Sequence, residues 1–268
     1  MKSTITFLFA TLLLAGCSVN KAKEDNSLKK YFDAKNVEGC FSLFDNGKGK
    51  VTVYNMGMDT TRMLPASTFK IVNSLIALQT GIAPDEHMKI KWDGVTRPVK
   101  AWNKTMDMAE AFKVSNVPYF QEIARRIGKD TMHHWIDSLA YGNKNTDGPI
   151  DSFWLNNHLK ISPDEQLGLV KKLYFDQLPF QKRVQQIVRN MMLQEDNTLY
   201  KLSYKTGWGT DEEKNNIGWV VGWIEENNHV YFFVTVVKSA NKDIDMQNVR
   251  LDITKDILKQ YGFFEGKK

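Results

Sequence analysis

Two apolar runs in the last third of the chain limit its possible folds more than any other feature. Residues 217–224 and 230–237 are rich in valine, isoleucine and aromatic residues, and the polar segment 225–229 separates them. Runs of this length and composition, divided by a short polar turn, predict an antiparallel pair of strands. Residues 199–204 show the same strand pattern just before them.

A second strand region lies nearer the start of the chain. Residues 40–44 and 51–54 are apolar-rich and flank Asn46-Gly47-Lys48-Gly49, which predicts a β-hairpin. Between the two strand regions, residues 82–195 have a mostly helical pattern. The helices expected there cover residues 118–127, the stretch after the capping box Ser162-Pro163-Asp164-Glu165, and residues 181–193.

The order of these elements predicts the fold class. A final helix over about residues 246–261 follows the last strand. Because strands that are neighbours in sequence usually pair, both chain ends are expected to build one antiparallel sheet flanked by helices. The helical lobe of residues 82–195 is then an insertion, giving an α+β fold with two lobes. The cleft between the lobes is the expected site.

The first residues have the pattern of an export signal. Lys2 precedes an apolar run over residues 5–14 that is too short for a settled membrane span. Leu14-Ala15-Gly16-Cys17 ends this run and resembles a bacterial lipobox, in which Cys17 is lipidated. We therefore expect residues 1–16 to be a signal peptide; a plain cleaved signal that happens to contain a cysteine is the alternative.

The segment after Cys17 is polar and lysine-rich, and residues 17–36 are predicted to be a lipid-anchored tether. Residues 37–268 are then the folded catalytic domain. The protein is expected to be exported to the periplasm and to contact a membrane only through the lipid. Cys40 would have no partner in the mature chain, so no disulfide is expected.

Composition excludes several classes of function. The chain is 42% hydrophobic and 25% charged with a net charge of +5, and its lysines are scattered rather than gathered in a stripe with aromatic residues. Nucleic-acid binding is therefore not expected. The adjacent histidines His133 and His134 point to different helix faces, and no ligand cluster surrounds the other three, so no metal site is expected. The sequence does not determine an oligomeric state.

One helix start carries the strongest chemical signal. Pro65 precedes an apolar helix that runs to Gly81, and Ser67 and Lys70 fall three residues apart in its first turn, on one face. In apolar surroundings the pKa of a lysine falls, and the neutral amine can take a proton from a serine hydroxyl. Ser-x-x-Lys alone is a weak signal, because it also occurs outside any buried helix at Ser18/Lys21, Ser27/Lys30 and Ser239/Lys242.

Three further motifs strengthen this signal. They follow in the order Ser115-Asn116-Val117, Tyr141-Gly142-Asn143 and Lys205-Thr206-Gly207, the last at the end of a predicted strand. Together with Ser67-Thr68-Phe69-Lys70 they resemble the penicillin-recognising serine enzymes, and within these the class D β-lactamases, or oxacillinases. The resemblance extends over nearly the whole mature chain, including Lys91-Trp92-Asp93-Gly94. It implies the β-lactamase/transpeptidase-like fold of that superfamily.

The resemblance also implies a mechanism. Ser67 would attack the β-lactam carbonyl and form an acyl-enzyme. Lys70 would be carboxylated by CO2 to N6-carboxylysine and act as the general base, with no other cofactor than CO2 or bicarbonate. Trp154 would hold the carbamate, and Val117 and Leu155 would wall its pocket. A core aromatic without a ligand is the alternative for Trp154.

The remaining site residues surround the substrate. Ser115 would relay a proton to the lactam nitrogen with Lys205 beside it, and the backbone N–H groups of Ser67 and Trp208 would form the oxyanion hole. The substrate carboxylate would be bound by residues near the last strand motif, namely Thr206, Gly207 and Arg250. For Arg250, a solvated helix residue is the alternative.

The function expected from the resemblance is hydrolysis of penicillin-type antibiotics, which confers β-lactam resistance, and these drugs are the expected partners. Two alternatives share the scaffold. A D,D-peptidase of cell-wall synthesis more often has asparagine where Val117 stands. A β-lactam sensor domain stays acylated, and such receptors carry several membrane segments, which are not expected after residue 17.

Overall fold

The computed structural model describes residues 22–268. The predicted signal peptide and Cys17 lie outside the described residues. Within 22–268 the chain forms one main sheet of seven strands with helices on both faces, which confirms the α+β class.

The strands of the main sheet are β1 Lys23–Glu24, β2 Glu38–Asp45, β3 Lys50–Tyr54, β6 Leu193–Asp196, β7 Tyr200–Thr210, β8 Asn216–Glu226 and β9 His229–Ser239. They are arranged in the order β1-β3-β2-β9-β8-β7-β6. All neighbouring pairs are antiparallel except β1 and β3. Strands from both chain ends therefore meet where β2 pairs with β9, as the order of elements predicted. A separate small pair joins β4 Lys89–Ile90 to β5 Met106–Asp107.

The helices lie on the two faces of the sheet and in the middle lobe. They are α1 Lys29–Asp33, α2 Met56–Asp59, α3 Lys70–Gln79, α4 Met108–Lys113, α5 Val117–Ile127, α6 Lys129–Ser138, α7 Pro163–Tyr174, α8 Lys182–Met192 and α9 Met246–Gln260. The capping box that was expected before α7 is present, since Ser162 and Glu165 bond each other's backbone. No helix in residues 22–268 combines the length and apolar character needed to cross a membrane.

Strands β8 and β9 are buried on both faces, which explains their continuous apolar sequence. One core cluster fills the space between the sheet and the middle lobe and includes the buried apolar side chains of α3, α5, α7 and α8. A second, smaller cluster lies on the other face, beneath α9. The helix that carries Lys70 is thus enclosed, with every residue from Lys70 to Leu78 buried.

The tether prediction is wrong for the residues from 22 onward. Lys23–Glu24 pairs with β3, and a short 3-10 helix at Asn26–Leu28 leads into α1. Leu28 and Phe32 are buried in the cluster beneath α9. Phe32 stacks on Tyr54 of β3 with ring centroids 5.0 Å apart, and Tyr31 donates to Gln260 of α9 at 2.9 Å. These partners are distant in sequence, so local sequence could not reveal that the segment folds.

Candidate active site

The turn that carries Ser67 is strained and tightly bonded. A 3-10 helix at Ala66–Phe69 continues directly into α3, so Ser67 precedes the α-helix rather than lying in its first turn. Ala66, just before the serine, has a left-handed φ of 47°, a conformation that non-glycine residues adopt at a cost. Thr68 fixes the turn by donating to the Pro65 carbonyl at 2.7 Å.

Ser67 and Lys70 are in direct contact. The Nζ atom of Lys70 lies 2.7 Å from Ser67 Oγ, and both residues are buried, with Lys70 only 1% exposed. Burial without a carboxylate partner lowers the pKa of Lys70 from 10.5 to about 7. A large share of the amine is therefore neutral at neutral pH and can accept a proton.

Strand β7 lies directly against this turn. A Cβ atom on Gly207 would meet the Pro65 carbonyl oxygen at 2.9 Å and the Thr68 methyl at 3.1 Å. Only glycine therefore lets the strand approach so closely. The Lys205-Thr206-Gly207 motif lies in the middle of β7, not at a strand end as predicted, because β7 continues to Thr210 against β8.

Ser115 reaches the site from the middle lobe. It has a left-handed φ of 53° and accepts a hydrogen bond from Lys205 Nζ, which also donates to the Thr206 carbonyl at 3.0 Å. Burial, together with the positive charges of Lys70 and Arg250, holds the pKa of Lys205 well below its usual value. The two lobes are thus joined at this contact.

Trp154 is fully buried, and its Nε1 has no hydrogen-bond partner. Its ring stacks on Phe69, the residue before Lys70, with centroids 5.4 Å apart. A buried N–H without a partner costs about 1–3 kcal/mol, so its retention beside the lysine helix points to an acceptor that binds there. Leu155 packs against the same core, and Val117, which is half-buried, begins α5.

Arg250 is buried rather than solvated, which excludes the alternative considered for it. It donates to the Gly207 carbonyl, its Nε has no partner, and burial lowers its pKa to about 10. In the part of the chain described, Lys70, Lys205 and Arg250 form no ion pair with a carboxylate. Lys205 and Arg250 are thus buried basic groups without a carboxylate partner, and their surroundings favour an anion.

Thr206 and Trp208 complete the rim on β7. Thr206 is half-buried, whereas Trp208 is 47% exposed and donates from Nε1 to Asn216 at 3.0 Å. An exposed tryptophan beside a cationic cleft offers an apolar surface to a bound molecule.

Sequence reasoning missed several residues that support the site. The Phe120 ring lies 5.4 Å from Lys70 Nζ and forms part of the apolar wall. Gln166, fully buried on α7, donates to Thr68 Oγ1 at 2.7 Å and so supports the Ser67 turn from below. Asn73 donates to the Phe120 carbonyl at 3.2 Å and ties α5 to α3. Their only sequence signal is a place on a buried helix face.

The Tyr141-Gly142-Asn143 motif has a structural place near the site. Tyr141 packs on Phe69 with centroids 5.7 Å apart. Gly142 has φ +52°, and a Cβ there would lie 1.9 Å from the Lys160 carbonyl oxygen, so the turn requires glycine. Asn143 bonds the backbone of Lys160 and His158 and braces the loop that carries Trp154.

In residues 22–268, no group of three or more histidine, cysteine or acidic side chains is placed to hold a metal ion.

Comparison with known proteins agrees with this geometry. The family model of the penicillin-binding protein transpeptidase domain matches residues 19–259. Beta-lactamase OXA-48 of Klebsiella pneumoniae is 38% identical over 257 residues, which cover 95% of both chains. The regulatory protein BlaR1 of Bacillus licheniformis is 33% identical over 232 residues, covering 87% of this chain but 38% of that protein.

Solved structures give the same assignment. The class D β-lactamase FUS-1 (OXA-85) of Fusobacterium nucleatum subsp. polymorphum has a TM-score of 0.86 and 34% identity, covering 91% of this chain and 100% of that one. A match of this extent, together with the Ser67–Lys70 and Ser115–Lys205 contacts, leads to one conclusion: the chain belongs to the penicillin-binding protein transpeptidase superfamily and, within it, to the class D β-lactamases.

Proposed function

We propose that this protein hydrolyses the amide bond of β-lactam antibiotics through an acyl-enzyme on Ser67. The observation that carries the proposal is the 2.7 Å contact between Ser67 Oγ and a lysine that is only 1% exposed. Such a lysine can accept the hydroxyl proton as the oxygen attacks the carbonyl carbon. The backbone N–H groups of Ser67 and Trp208 are our candidates for binding the oxyanion.

The second half of acylation requires a proton at the lactam nitrogen. Ser115 Oγ can deliver its own proton as the C–N bond breaks, and Lys205, which contacts Ser115, can replace it. The depressed pKa of Lys205 makes that transfer easier than it would be from an ordinary lysine. Arg250, which donates to the Gly207 carbonyl and has an unpartnered Nε, is our candidate for binding the carboxylate that these drugs carry.

We further propose that Lys70 is carboxylated. The surroundings fit this modification, because CO2 adds only to a neutral amine, the pKa of Lys70 is about 7, and Trp154 Nε1 is a buried donor without an acceptor. When present, the carbamate supplies a carboxylate that can activate the water for deacylation. Trp154 would then donate to it, while Val117, Leu155 and Phe120 keep the pocket apolar.

The function is tested by turnover of a chromogenic cephalosporin with purified protein, in CO2-free buffer and after addition of bicarbonate. We expect turnover that rises with bicarbonate and is almost abolished in Ser67→Ala. Near-wild-type turnover by Ser67→Ala would contradict the site, and turnover independent of bicarbonate would contradict the carbamate.

A receptor that stays acylated is the second candidate, because one relative is a regulatory protein. The same experiment separates the two functions. A receptor would give one burst of product per protein molecule and a lasting mass increase on Ser67, whereas an enzyme would give many turnovers and no lasting adduct.

We also propose that the protein is exported to the periplasm, where it confers β-lactam resistance, and that it is anchored there through a lipid on Cys17. The support is the apolar run over residues 5–14 followed by Leu14-Ala15-Gly16-Cys17.

A further inference from the structure

A cavity lies behind the loop that carries Ser115. It has a volume of about 460 Å³, is open to solvent and lies between residues 90–106 and helix α5. Asn116 and Pro118, on either side of Val117, form part of its wall, but neither Ser67 nor Ser115 lines it. We call it the rear cavity, and residues 114–116, between α4 and α5, the Ser115 loop. The two sites share this loop as a partition.

The wall of the rear cavity is held in place by hydrogen bonds. Ile90 and Met106 pair between β4 and β5. Asn103 closes the segment between them, because its side chain accepts from the Arg97 N–H at 2.8 Å and donates to the Arg97 carbonyl at 2.9 Å. The backbone N–H of Trp92 donates to Thr105 Oγ1 at 3.1 Å. The cavity is therefore formed before any ligand binds.

Aromatic rings form much of its lining, and their polar atoms are already satisfied. Trp92 Nε1 donates to the Val95 carbonyl at 3.1 Å, and Trp102 Nε1 donates to the Val114 carbonyl at 3.0 Å. Tyr119 donates its hydroxyl to the Met88 carbonyl at 2.8 Å. These rings therefore offer apolar faces to an occupant, and planar rings stack well on such faces.

The charged groups of the lining favour an anion. The lining contains five cations, Lys91, Arg97, Lys104, Arg125 and Arg126, and two carboxylates, Asp93 and Glu122. Lys104 is paired with Glu110, and Arg125 is paired with Asp151 and Glu122. Arg97 pairs with Asp93 at 2.9 Å, and Arg126 uses only its Nε on Glu122, at 2.8 Å. The terminal nitrogens of Arg126 and the ammonium of Lys91 thus stay available within the described chain for a carboxylate or sulfonate.

We propose that the rear cavity binds a planar aromatic anion and that its occupancy regulates the active site. Trp102 bonds the Val114 carbonyl, and Asn116 Nδ2 lies 3.3 Å from Met106 Sδ, so an occupant of the rear cavity contacts groups that hold the Ser115 loop. Ser115 already has a strained φ of 53°, and a small shift would move its hydroxyl from Lys205. Occupancy then lowers kcat without competing with substrate; this second part rests on the proposed function.

Binding is tested first, without reference to activity. The probe is anilinonaphthalene sulfonate, an aromatic anion that fluoresces in apolar sites, and N-phenylnaphthylamine is its uncharged counterpart. We expect Trp92→Ala to weaken sulfonate binding about tenfold and Arg126→Gln about fivefold, the effects of losing one ring face or one charged bond. Phe175→Ala and Arg183→Ala, at exposed positions elsewhere, are matched controls with affinities unchanged within twofold.

The result that overturns the site is equal binding by Trp92→Ala, Arg126→Gln and the controls, or equal binding of the neutral probe. Arg126 is exposed, so its variant folds even if Trp92→Ala does not. Regulation is tested by hydrolysis of a chromogenic cephalosporin at several probe concentrations. A lowered kcat with constant KM supports the coupling, whereas a raised KM alone places the probe in the catalytic cleft and overturns the proposal. If no hydrolysis occurs at all, the binding result still stands.

Discussion

Replacing Lys70 with methionine should stabilise the folded protein at low pH, although it should destroy activity. Burial lowers the pKa of Lys70 from 10.5 to about 7. Each pKa unit corresponds to about 1.4 kcal/mol. Holding the charged ammonium of Lys70 in the folded interior therefore reduces the free energy of unfolding by at most roughly 5 kcal/mol. Loss of the hydrogen bond to Ser67 reduces the expected stabilisation of Lys70→Met by about 1 kcal/mol. Relaxation of the wild-type structure around the charge reduces it further. We expect a net gain of about 2–4 kcal/mol at pH 6.

The sign of the pH dependence follows from linkage. Below pH 7 both the folded and the unfolded chains hold the proton, so the full cost is present. As the pH rises from 7 towards 10.5, the folded lysine is neutral while the unfolded one still binds a proton, and the cost fades. The advantage of Lys70→Met should therefore shrink steadily and fall to about 1 kcal/mol or less near pH 10. Part of the stabilisation in Lys70→Met comes from Lys205, because the positive charge of Lys70 lowers the pKa of Lys205 and the variant lacks that charge.

The assay is urea unfolding in CO2-free buffer at a series of pH values, followed by tryptophan fluorescence. Lys172→Met removes an exposed lysine from α7 and is the matched control, for which no stabilisation is expected. Bicarbonate provides an independent check, since a modification confined to the folded state should stabilise wild type at pH 8 but not Lys70→Met. The reasoning fails if Lys70→Met is less stable than wild type at pH 6, or if its advantage does not depend on pH.

Three further predictions concern the pocket and the anchor. Arg250→Ala should raise KM about tenfold, the effect of one lost charge-assisted bond, with kcat within twofold; steady-state kinetics with an unchanged KM would mean that the substrate carboxylate is bound elsewhere. Val117→Asn should bring a polar amide into the apolar pocket and favour the charged form of Lys70, so acylated Ser67 should accumulate and appear as a mass increase equal to the drug; wild-type turnover without an adduct would refute this. Mature wild-type protein should partition into detergent and Cys17→Ser should not, and a fully soluble wild type would leave only the plain signal peptide.

Local sequence predicted the parts of the molecule that short-range geometry controls. The Ser67–Lys70 contact follows from a spacing of three residues in a helical turn. The capping box before α7 and the pairing of β8 with β9 likewise depend on neighbours in sequence. The predicted strands were shorter than the observed ones, because pairing within the sheet extends β7, β8 and β9 into flanking polar residues.

The roles expected for Trp154 and Arg250 came from the family resemblance, because the spacing of residues does not predict them. Trp154 and Arg250 each had a plain structural alternative, and no local pattern separates a core aromatic or a surface arginine from a functional one. Their burial, and the unpartnered Nε1 of Trp154 and Nε of Arg250, are visible only once the surrounding elements are in place.

Apolar periodicity and turn residues act over a few positions, so patterns along the chain predict the chemical groups, their order and the two-lobed plan. How these groups act together depends on contacts between distant segments. Lys205 bonds Ser115 across 90 residues, and Arg250 reaches Gly207 across 43. The pKa of Lys70 is low because distant residues such as Phe120 pack over it and exclude water. The desolvation of a group depends on all the residues that surround it in the folded protein. Most of these residues are distant in sequence, so the local sequence does not specify how strongly the group is desolvated.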